Sequence, residues 1–433
     1  MSDMTRDAIR SCTKVVFVNR YFHPDESATS RILSDLAFRL AALGFTVAVV
    51  TSRQLYDQPR ARLPAQQVVE GVMVYRVATA TRGRASLAGR ALDYLSFHIA
   101  AGAKLLSVLS SGDIVVAKTD PPLISVVVSC VAKVRGARLV NWLQDVFPEV
   151  ATALGMRALP AWLAGILASI RDRSLRAAAA NIVLGELMKD RLLARGIESE
   201  RIHIVPNWTD IRQITPQPVH ASETRRALGL QDQFVIGYSG NLGRAHEFDT
   251  LLGAARLLRE ARNFSFLITG AGAKLQSLRT AVAAEHLDNF HFLPYQPAEL
   301  LADSLAASDV HLISLLPALE GLIVPSKLYG ILAAGRPAVF IGDPEGEVAR
   351  VIRDHDCGIT VGIGESAQLA DALRSLSASA LRVTAMSLNA RRLAVSRYTT
   401  DRAVGQWRQL LERVSPEASR MHHADGTRCV KSS

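Results

Sequence analysis

The feature that most limits the fold of this chain is the alternation of short, continuous apolar runs with amphipathic helical patterns. Helical stripes cover Ser30–Leu43 and Ser86–Leu109. Among these stripes we predict strands at Val15–Asn19, Phe45–Thr51, Val72–Val77, Asp113–Ala117, Ala137–Leu143 and Asn181–Leu184. Strands that are apolar throughout and separated by helices are typical of a parallel sheet with both faces covered.

The same alternation restarts after residue 210. Further strands are predicted at Phe234–Gly240, Phe264–Gly270, Phe290–Leu293, Val310–Ser314 and Pro337–Ile341. The 433 residues suffice for two domains, and Thr215–Pro218 has the composition of a linker. We therefore predict an α/β chain of two doubly wound, Rossmann-like parallel-sheet domains that face each other across a cleft. The predicted parts are the domains 1–212 and 213–395, a helix at 396–414 that crosses back to the first domain, and a disordered tail at 415–433.

Charge and cysteine content narrow the classes of partner. A net charge of +10 favours anionic partners such as lipid or phosphorylated small molecules, although it also suits a plain solvated surface. We expect no nucleic-acid partner, because the chain has no zinc-finger spacing, aromatic RNA-binding motif or basic tract. The four cysteines are scattered, which indicates a reducing cytoplasm. No apolar stretch has the roughly 20 residues that span a bilayer.

Two loops of the first domain carry polar side chains after predicted strands. Ligands of doubly wound sheets bind at the carboxyl ends of the strands, so these loops are candidate sites. Ser27 and Thr29 precede the first helix, where their hydroxyls bind an anion or a sugar, or simply cap the helix. Asp145 and Glu149 follow a later strand, where a carboxylate contacts an acceptor hydroxyl or caps the next helix.

The first candidate loop of the second domain is Tyr238–Asp249. The strand ends at Gly240, and Arg244 and His246 lie in the turn before a helix. A cation beside a helix N-terminus suits a diphosphate, although a solvated turn would have the same composition.

The second candidate loop, Ile268–Leu275, begins like a dinucleotide-binding fingerprint. Gly270 and Gly272 match its start, but Leu275 takes the place of the third glycine. We interpret the loop as a tight turn that lets a nucleotide approach the backbone, and nicotinamide chemistry is disfavoured. Asp354–Asp356 has the spacing of a metal motif but reads as a surface turn, so we expect no metal and no cofactor.

The third candidate loop lies within Leu315–Pro337. Glu320 follows a strand, and a helix starts at Pro325 with Ser326 and Lys327 in its first turn. A lysine at this place opposes the helix dipole. We therefore expect Lys327 to face an anionic ligand, and the alternative is a solvated side chain.

Six segments of the chain together resemble one enzyme family. They are YFHPDE, QDVFPE, IVPNWTD, YSGNLGRAHEFDTLL, ITGAGAKL and IVPSKLYGILAAGRP, and the resemblance covers residues 14–412. On these segments the chain resembles the retaining glycosyltransferases of family four, which have the GT-B fold. Within that family it is most similar to the subgroup that builds bacterial exopolysaccharides, O-antigens and colanic acid. The resemblance implies a nucleotide-sugar donor held mainly by the second domain, with no bound metal.

The resemblance also implies roles by position. The arginine and lysine with which the family binds the donor diphosphate fall on Asn241 and His246, and Arg244 lies between them. The first of the family's paired glutamates is loosely matched by Glu320. The second falls on Gly330, so the usual contact to the ribose is missing.

The candidate loops and the family resemblance together indicate one set of site residues. Lys327, a diphosphate contact in the family's PSK-type variant, and Arg244 are assigned to the leaving group. Glu320 is assigned to the donor sugar and Asp145 to the acceptor. The other donor-binding candidates are Gly240, Asn241, His246, Gly270, Gly272 and Ser326. The other acceptor-side candidates are Ser27, Thr29 and Glu149.

The implied acceptor is a glycan carried on polyprenyl diphosphate, which keeps the reaction at a membrane. Arg82–Leu109 and Met156–Ala177 interleave basic and apolar residues, so they lie in the bilayer interface or pack against the sheet. We predict a cytoplasmic enzyme bound peripherally to the anionic inner face of the plasma membrane. Two alternatives stay open, a nucleotide-sugar epimerase of similar fold and a non-catalytic subunit of a glycan assembly complex.

Overall fold

The computed structural model describes residues 13–58, 60–82, 87–156 and 159–415. Contacts divide the chain into two units. The first unit combines Met1–Pro206 with Asp401–Ser433, and the second unit is Asn207–Thr400. Apart from Ser415, the predicted tail at 415–433 lies outside the described residues.

The first 206 residues alternate strands and helices. In chain order the elements are β1 (Lys14–Val18), α1 (Ala28–Ala42), β2 (Thr46–Ser52), β3 (Gln66–Val69), β4 (Val72–Val77), α2 (Leu87–Val108), β5 (Ile114–Lys118), α3 (Ile124–Arg135), β6 (Arg138–Trp142), α4 (Glu149–Ala153), α5 (Ala161–Ala177), β7 (Ala180–Val183), α6 (Glu186–Ala194) and β8 (Ile202–Ile204).

The rest of the chain repeats the alternation and ends in three helices. Its elements are α7 (Glu223–Ala227), β9 (Phe234–Ser239), α8 (Asp249–Leu257), β10 (Phe264–Thr269), α9 (Leu275–Ala284), β11 (Phe290–Leu293), α10 (Leu301–Ala306), β12 (Val310–Ser314), α11 (Lys327–Ala333), β13 (Ala338–Ile341), α12 (Glu347–His355), β14 (Gly358–Val361), α13 (Ser366–Ser377), α14 (Ala380–Arg397) and α15 (Thr400–Val414).

The sheet of the first unit has the order β3-β4-β2-β1-β5-β6-β7-β8. Its neighbouring strands are parallel except for β3 and β4. The central strand β1 is buried from Val15 to Val18, as expected for a strand covered on both faces. The strand β2 lies on one side of β1 and β5 on the other, so the winding reverses there. At such a reversal the loops after the two strands separate and leave a crevice for a ligand.

The sheet of the second unit has the order β11-β10-β9-β12-β13-β14, and its strand pairs are parallel. Its winding reverses between β9 and β12, because β10 lies on one side of β9 and β12 on the other. The ligand-binding edge of this sheet is therefore expected at the ends of β9 and β12.

The helix α15 completes the core of the first unit. Its Trp407 is fully buried, with ring centroids 4.8 Å from Trp142 of β6 and 6.2 Å from Phe17 of β1. The side-chain oxygens of Thr13 and Ser415 lie 3.0 Å apart. The residues that open the described chain are therefore tied to the residues that close it.

The predicted fold class of two doubly wound parallel sheets is confirmed, and each predicted strand lies within one residue of its observed bounds. The sequence did not predict the strands β3, β8 and β14. The strand β3 is exposed and half polar, β8 is only three residues long, and β14 is short and mostly half-buried. The interpretation of Asp354–Asp356 as a surface turn holds for Asp356, which is exposed in a turn, but not for the two residues before it. Asp354 and His355 end α12, and Asp356 is its C-cap with a left-handed φ of 42°. None of the described helices is long and apolar enough to cross a bilayer.

Candidate functional site

The loops after β9 and β10 pack backbone against backbone. Gly240, Gly270 and Gly272 have φ angles of 129°, 141° and 151°, which side chains rarely allow. A Cβ on Gly270 would lie 2.0 Å from the Gly240 carbonyl oxygen, and one on Gly272 would lie 2.5 Å from the Leu242 carbonyl oxygen. These loops therefore present bare backbone at the carboxyl ends of adjacent strands, where a ligand can approach closely.

Lys327 begins α11 and reaches over the end of β9. Its ammonium lies 3.7 Å from the centroid of the Tyr238 ring and donates a hydrogen bond to the Tyr238 hydroxyl. The hydroxyl in turn donates to the Asn241 carbonyl oxygen at 2.8 Å. The Lys327 Cε atom is 3.6 Å from the position of a Cβ on Gly240. Burial holds the pKa of Lys327 well below its usual value.

His246 links the loop after β9 to the end of β12 by a hydrogen bond. Its Nδ1 atom bonds with the Ser314 carbonyl oxygen, and the backbone N–H of Glu247 donates to the Ser314 hydroxyl at 2.8 Å. Burial and the nearby charge of Lys327 lower the pKa of His246 to about 3. His246 is therefore neutral near pH 7 and supplies no positive charge of its own.

Three basic residues, Lys327, Lys274 and Arg244, belong to the segments at this edge of the sheet. The positive charges of Lys327 and Lys274 both act on His246, and the backbone N–H of Lys274 donates to the Leu242 carbonyl oxygen at 2.9 Å. Arg244 is exposed in the same loop. Within the described ranges, none of the three basic groups forms an ion pair with a carboxylate. An edge with several cations and no paired carboxylate favours an anionic ligand.

Glu320 is buried against the start of α12. Its Oε2 atom accepts the backbone N–H of Glu347 at 3.1 Å, and its Oε1 atom is 2.3 Å from the position of a Cβ on Gly346. Burial raises the pKa of Glu320 to about 7. Ser326 is exposed before α11 and makes no capping hydrogen bond. A Cβ on Gly330 would make only ordinary contacts, so packing does not require a glycine there.

In the first unit, Ser27 and Thr29 flank the start of α1. Ser27 occupies the N-cap position but makes no cap hydrogen bond, and its backbone N–H and its hydroxyl both donate to Asp25. The carbonyl oxygen of Thr29 accepts the Lys118 ammonium at 2.7 Å. That ammonium also lies 4.1 Å from the centroid of the Trp142 ring. The segment that carries Ser27 and Thr29 is thus bonded to the end of β5, which lies on one side of the winding reversal.

Asp145 lies in a small cavity at the ends of β5 and β6. It shares the lining with Asn141 and Lys118, and it accepts a hydrogen bond from Thr119. Its Oδ1 atom is buried and has no hydrogen-bond partner among the described residues. Burial, together with the negative charge of Asp120, raises the pKa of Asp145 to about 7. The carboxyl group therefore gains or loses its proton near neutral pH.

Glu149 is the first residue of α4 and is held by an arginine. The Arg171 guanidinium binds both carboxylate oxygens of Glu149, at 2.6 and 2.9 Å, and also pairs with Asp172. Contrary to one expectation from the sequence, Asp145 does not cap α4, because Pro148 holds the N-cap position.

The structure brings the donor-side candidates together at the reversal between β9 and β12. They are Gly240, Asn241, His246, Gly270, Gly272 and Lys327. The sequence motifs did not indicate Tyr238 or Lys274 as site residues, although both lie in segments that carry the family resemblance, YSGNLGRAHEFDTLL and ITGAGAKL. Within the described part of the chain, no group of three or more His, Cys, Asp and Glu side chains is placed to hold a metal ion.

Comparison with known proteins identifies both halves of the chain. The family described as "Glycosyl transferase 4-like domain" matches residues 27–208, and that described as "Glycosyl transferases group 1" matches residues 233–379. The probable glycosyltransferase WbjE of Pseudomonas aeruginosa is 24% identical over 255 residues, which are 59% of this chain and 64% of WbjE. The putative colanic acid biosynthesis glycosyl transferase WcaI of Escherichia coli (strain K12) is 28% identical over 228 residues, 51% of this chain and 55% of WcaI. The match thus spans less than two thirds of the length of either curated relative.

A solved structure agrees on the fold. HepE of Anabaena, crystallised in complex with UDP and glucose, superposes with a TM-score of 0.69 at 15% identity. The superposition covers 92% of this chain and 99% of HepE, and at this identity it shows the fold alone. Because the two family matches together cover most of the chain and the HepE structure has the same fold, the chain belongs to the family-four glycosyltransferases with the GT-B fold.

Proposed function

We propose that this chain transfers a sugar from a nucleotide-sugar donor to a glycan carried on polyprenyl diphosphate, in the assembly of a bacterial cell-surface polysaccharide. The bond between the anomeric carbon and the donor phosphate breaks, and a bond from that carbon to an acceptor hydroxyl forms with retention of configuration. The nucleoside diphosphate leaves, together with the proton of the acceptor hydroxyl. The naming of WcaI for colanic acid biosynthesis supports this choice of pathway class.

The observation that carries the donor half of the proposal is the cation-rich edge at β9 and β12. Lys327 and Lys274 both act on His246 there, beside the bare backbone of Gly240 and Gly270. Arg244 is exposed in the same loop, and no described carboxylate pairs with any of the three. Negative charge develops on the diphosphate as it leaves, and pre-placed cations stabilise that charge more in the transition state than in the ground state. UDP in the related HepE structure supports a nucleoside diphosphate as the ligand.

Two carboxyl groups supply the remaining roles. Glu320, held at the start of α12, orients the donor sugar, and Asp145 orients the acceptor hydroxyl. Each has a pKa raised to about 7 by burial, so each exchanges a proton near the working pH. Perturbed carboxyl groups of this kind concentrate at functional sites.

The donor is identified by thermal shift with a panel of UDP-, GDP- and TDP-sugars, followed by a turnover assay. Stabilisation by one donor, with sugar transfer only when a lipid-linked acceptor is added, supports the proposal. Conversion of the donor without an acceptor would instead identify an epimerase. Binding of a donor with no turnover on any acceptor would favour a non-catalytic subunit.

The membrane half of the proposal rests on three neighbouring helices of the first unit. The helix α3 contacts both α2 and α5, and all three expose large apolar side chains, namely Leu92, Leu95, Ile99, Leu106, Val134, Trp162 and Ile166. Exposed basic residues flank them, including Arg82, Lys133, Arg135 and Arg173. Interleaved apolar and basic groups bind the interface of an anionic bilayer, at about 1 kcal/mol for each basic group. Arg171 does not contribute, because it is buried against Glu149 and Asp172, and Arg84 and Arg157 lie outside the described residues.

Vesicle co-sedimentation tests this surface with a matched control. Leu95→Ser/Ile99→Ser removes side chains that are 56% and 65% exposed on α2, and Leu381→Ser/Leu388→Ser removes side chains that are 87% and 61% exposed on α14. We expect the α2 variant to lose binding to anionic vesicles and the α14 variant to keep it. Binding should also weaken as salt rises. Equal recovery of all proteins in the supernatant, with neutral and anionic vesicles at low salt, would point to a soluble acceptor.

A further inference from the structure

We propose that Tyr238 is a positioning residue, which holds the Lys327 ammonium over the end of β9 where the donor diphosphate binds. This inference rests on the proposed function, because it takes the diphosphate as the ligand of Lys327. It adds a residue that touches neither donor nor acceptor and acts through the lysine. A lysine side chain has four rotatable bonds, so the energy of its contact with a phosphate depends on how well it is held in place.

Tyr238 holds the ammonium by two separate contacts. The ring centroid lies 3.7 Å from the Lys327 nitrogen, and the hydroxyl accepts a hydrogen bond from it. A cation over an aromatic face is attracted by the negative charge of the ring face, more strongly when the pair is removed from water. The hydroxyl proton is directed to the Asn241 carbonyl oxygen at 2.8 Å, so a lone pair of the same oxygen is left for Lys327. The lysine is thereby fixed against the backbone at Gly240.

The Tyr238 ring is itself held rigidly. It is buried, and it meets the Phe248 ring edge-on with centroids 5.2 Å apart and the His246 ring with centroids 6.0 Å apart. His246 is bonded in turn to Ser314 at the end of β12. The ring is therefore fixed by its neighbours where it contacts the ammonium. A buried tyrosine needs one partner for its hydroxyl, and the Asn241 carbonyl oxygen already supplies it, so the contact with Lys327 goes beyond what packing requires.

A double-mutant cycle separates positioning from packing. Tyr238→Phe keeps the ring and removes the hydroxyl, Lys327→Ala removes the ammonium, and the double variant removes both. The probe is inorganic pyrophosphate, titrated by calorimetry into the full-length protein, because it does not depend on the unknown base of the donor. We expect Tyr238→Phe to weaken pyrophosphate binding by about tenfold in the native background and by less than twofold in the Lys327→Ala background. Phe248→Leu, which alters the same ring cluster away from Lys327, is the matched control and should change binding by less than twofold in either background.

The pH dependence of binding gives a readout that a packing role would not move. Tyr238 contacts Lys327, His246 feels the charges of both Lys327 and Lys274, and Tyr295 acts on Tyr238 from the loop after β11. Pyrophosphate binding is lost on the alkaline side as the ammonium loses its proton. The Tyr238 hydroxyl accepts from the charged form of Lys327 and so raises its pKa, which means that Tyr238→Phe lowers it. The alkaline loss should therefore move to lower pH in Tyr238→Phe, while the ionisation of pyrophosphate is the same for both proteins.

The outcomes distinguish this inference from the function on which it rests. If Lys327→Ala binds pyrophosphate as tightly as the unmodified protein, Lys327 is not the diphosphate contact, and the proposed donor site is wrong together with the role of Tyr238. If Lys327→Ala weakens binding but Tyr238→Phe has no effect, or has the same effect in both backgrounds, the donor site stands and the positioning role is overturned. An unmoved alkaline limb in Tyr238→Phe overturns it as well.

Discussion

Asp145 precedes α4 and Glu149 begins it, and the structure predicts that neutralising these two carboxylates has opposite effects on stability. The folded-state pKa of Asp145 is raised from 3.8 to about 7 by burial and by Asp120. The unfolded chain releases this proton above pH about 4, whereas the folded protein retains it up to pH about 7. The shifted pKa of Asp145 therefore has no effect on the free energy of unfolding below about pH 4. It lowers that free energy progressively as the pH rises towards 7, and the reduction is constant above that pH.

The size of this cost follows from the shift. Each pKa unit corresponds to about 1.4 kcal/mol, so a shift of about three units gives an upper limit of about 4 kcal/mol above pH 7. Asp145→Asn is neutral at every pH and keeps an oxygen for the Thr119 hydrogen bond. We expect it to raise the free energy of unfolding of the first unit by about 2–4 kcal/mol at pH 8, and by close to zero at pH 4. Activity should fall at the same time if the carboxyl group orients the acceptor, as proposed above.

Glu149→Gln is the matched control. It also replaces a carboxylate by an amide, but here the change weakens an ion pair with Arg171. The Glu149 carboxylate binds Arg171 through both oxygens, and Arg171 is buried beside Asp172. Replacing it leaves part of the guanidinium without a partner, so we expect a loss of about 1–3 kcal/mol. Glu149 is a third exposed, which keeps this value below that of a fully buried pair.

Urea unfolding between pH 4 and pH 8, followed by tryptophan fluorescence, measures both variants. Trp142, Trp162 and Trp407 lie in the first unit and Trp208 in the second, so the signal reports mainly on the unit that carries the substitutions. An Asp145→Asn protein that is no more stable than the unmodified protein at pH 8 would refute the reasoning. A gain that does not change with pH would refute it too, since the effect would then not arise from titration.

Three further predictions concern the diphosphate contacts, the need for a metal ion and the loop after β10. Lys327→Ala and Arg244→Ala should each lower kcat/KM by about 100-fold, because one group aimed at a developing negative charge contributes roughly 3 kcal/mol; normal turnover in both folded variants would show that other groups bind the diphosphate. Activity should survive EDTA, since the described residues hold no group of three potential metal ligands; a loss that magnesium or manganese reverses would contradict this. Gly270→Ala should destabilise the protein by about 2 kcal/mol more than Gly229→Ala, because both have positive φ but only the first places a Cβ 2.0 Å from a backbone oxygen; equal urea midpoints would show that the two loops can separate.

The strands were predictable because their signal is local. Val15–Val18 and Ile236–Tyr238 are apolar or buried along consecutive residues, and a strand covered on both faces requires that pattern wherever it lies in the sheet. The strand β3 lacks the pattern because it is exposed and pairs on one side only, through β4. The order of strands, and with it the position of the reversal, depends on which strands pair, and this information is not local.

The site was only partly predictable for the same reason. Lys327 was singled out because a lysine at a helix start is unfavourable, and this is a local property. Its partner Tyr238 is 89 residues away in sequence and reads as an ordinary strand residue. His246 was predicted to bind the donor from its position in a motif, but burial makes it neutral, and burial cannot be read from the turn that contains it. Glu149 likewise meets Arg171 across 22 residues.

The return of α15 to the first unit has a consequence for the order in which this protein is synthesised and folds. The second unit is one continuous stretch, Asn207–Thr400, so a ribosome delivers it complete before the chain ends. The first unit emerges earlier but waits for Trp407, which covers Trp142 and Phe17 in its core. At about 5–20 residues per second, some 200 residues of the second unit delay that helix by roughly 10–40 seconds. During this interval the rings of Trp142 and Phe17 lack the Trp407 ring that packs against them in the folded unit.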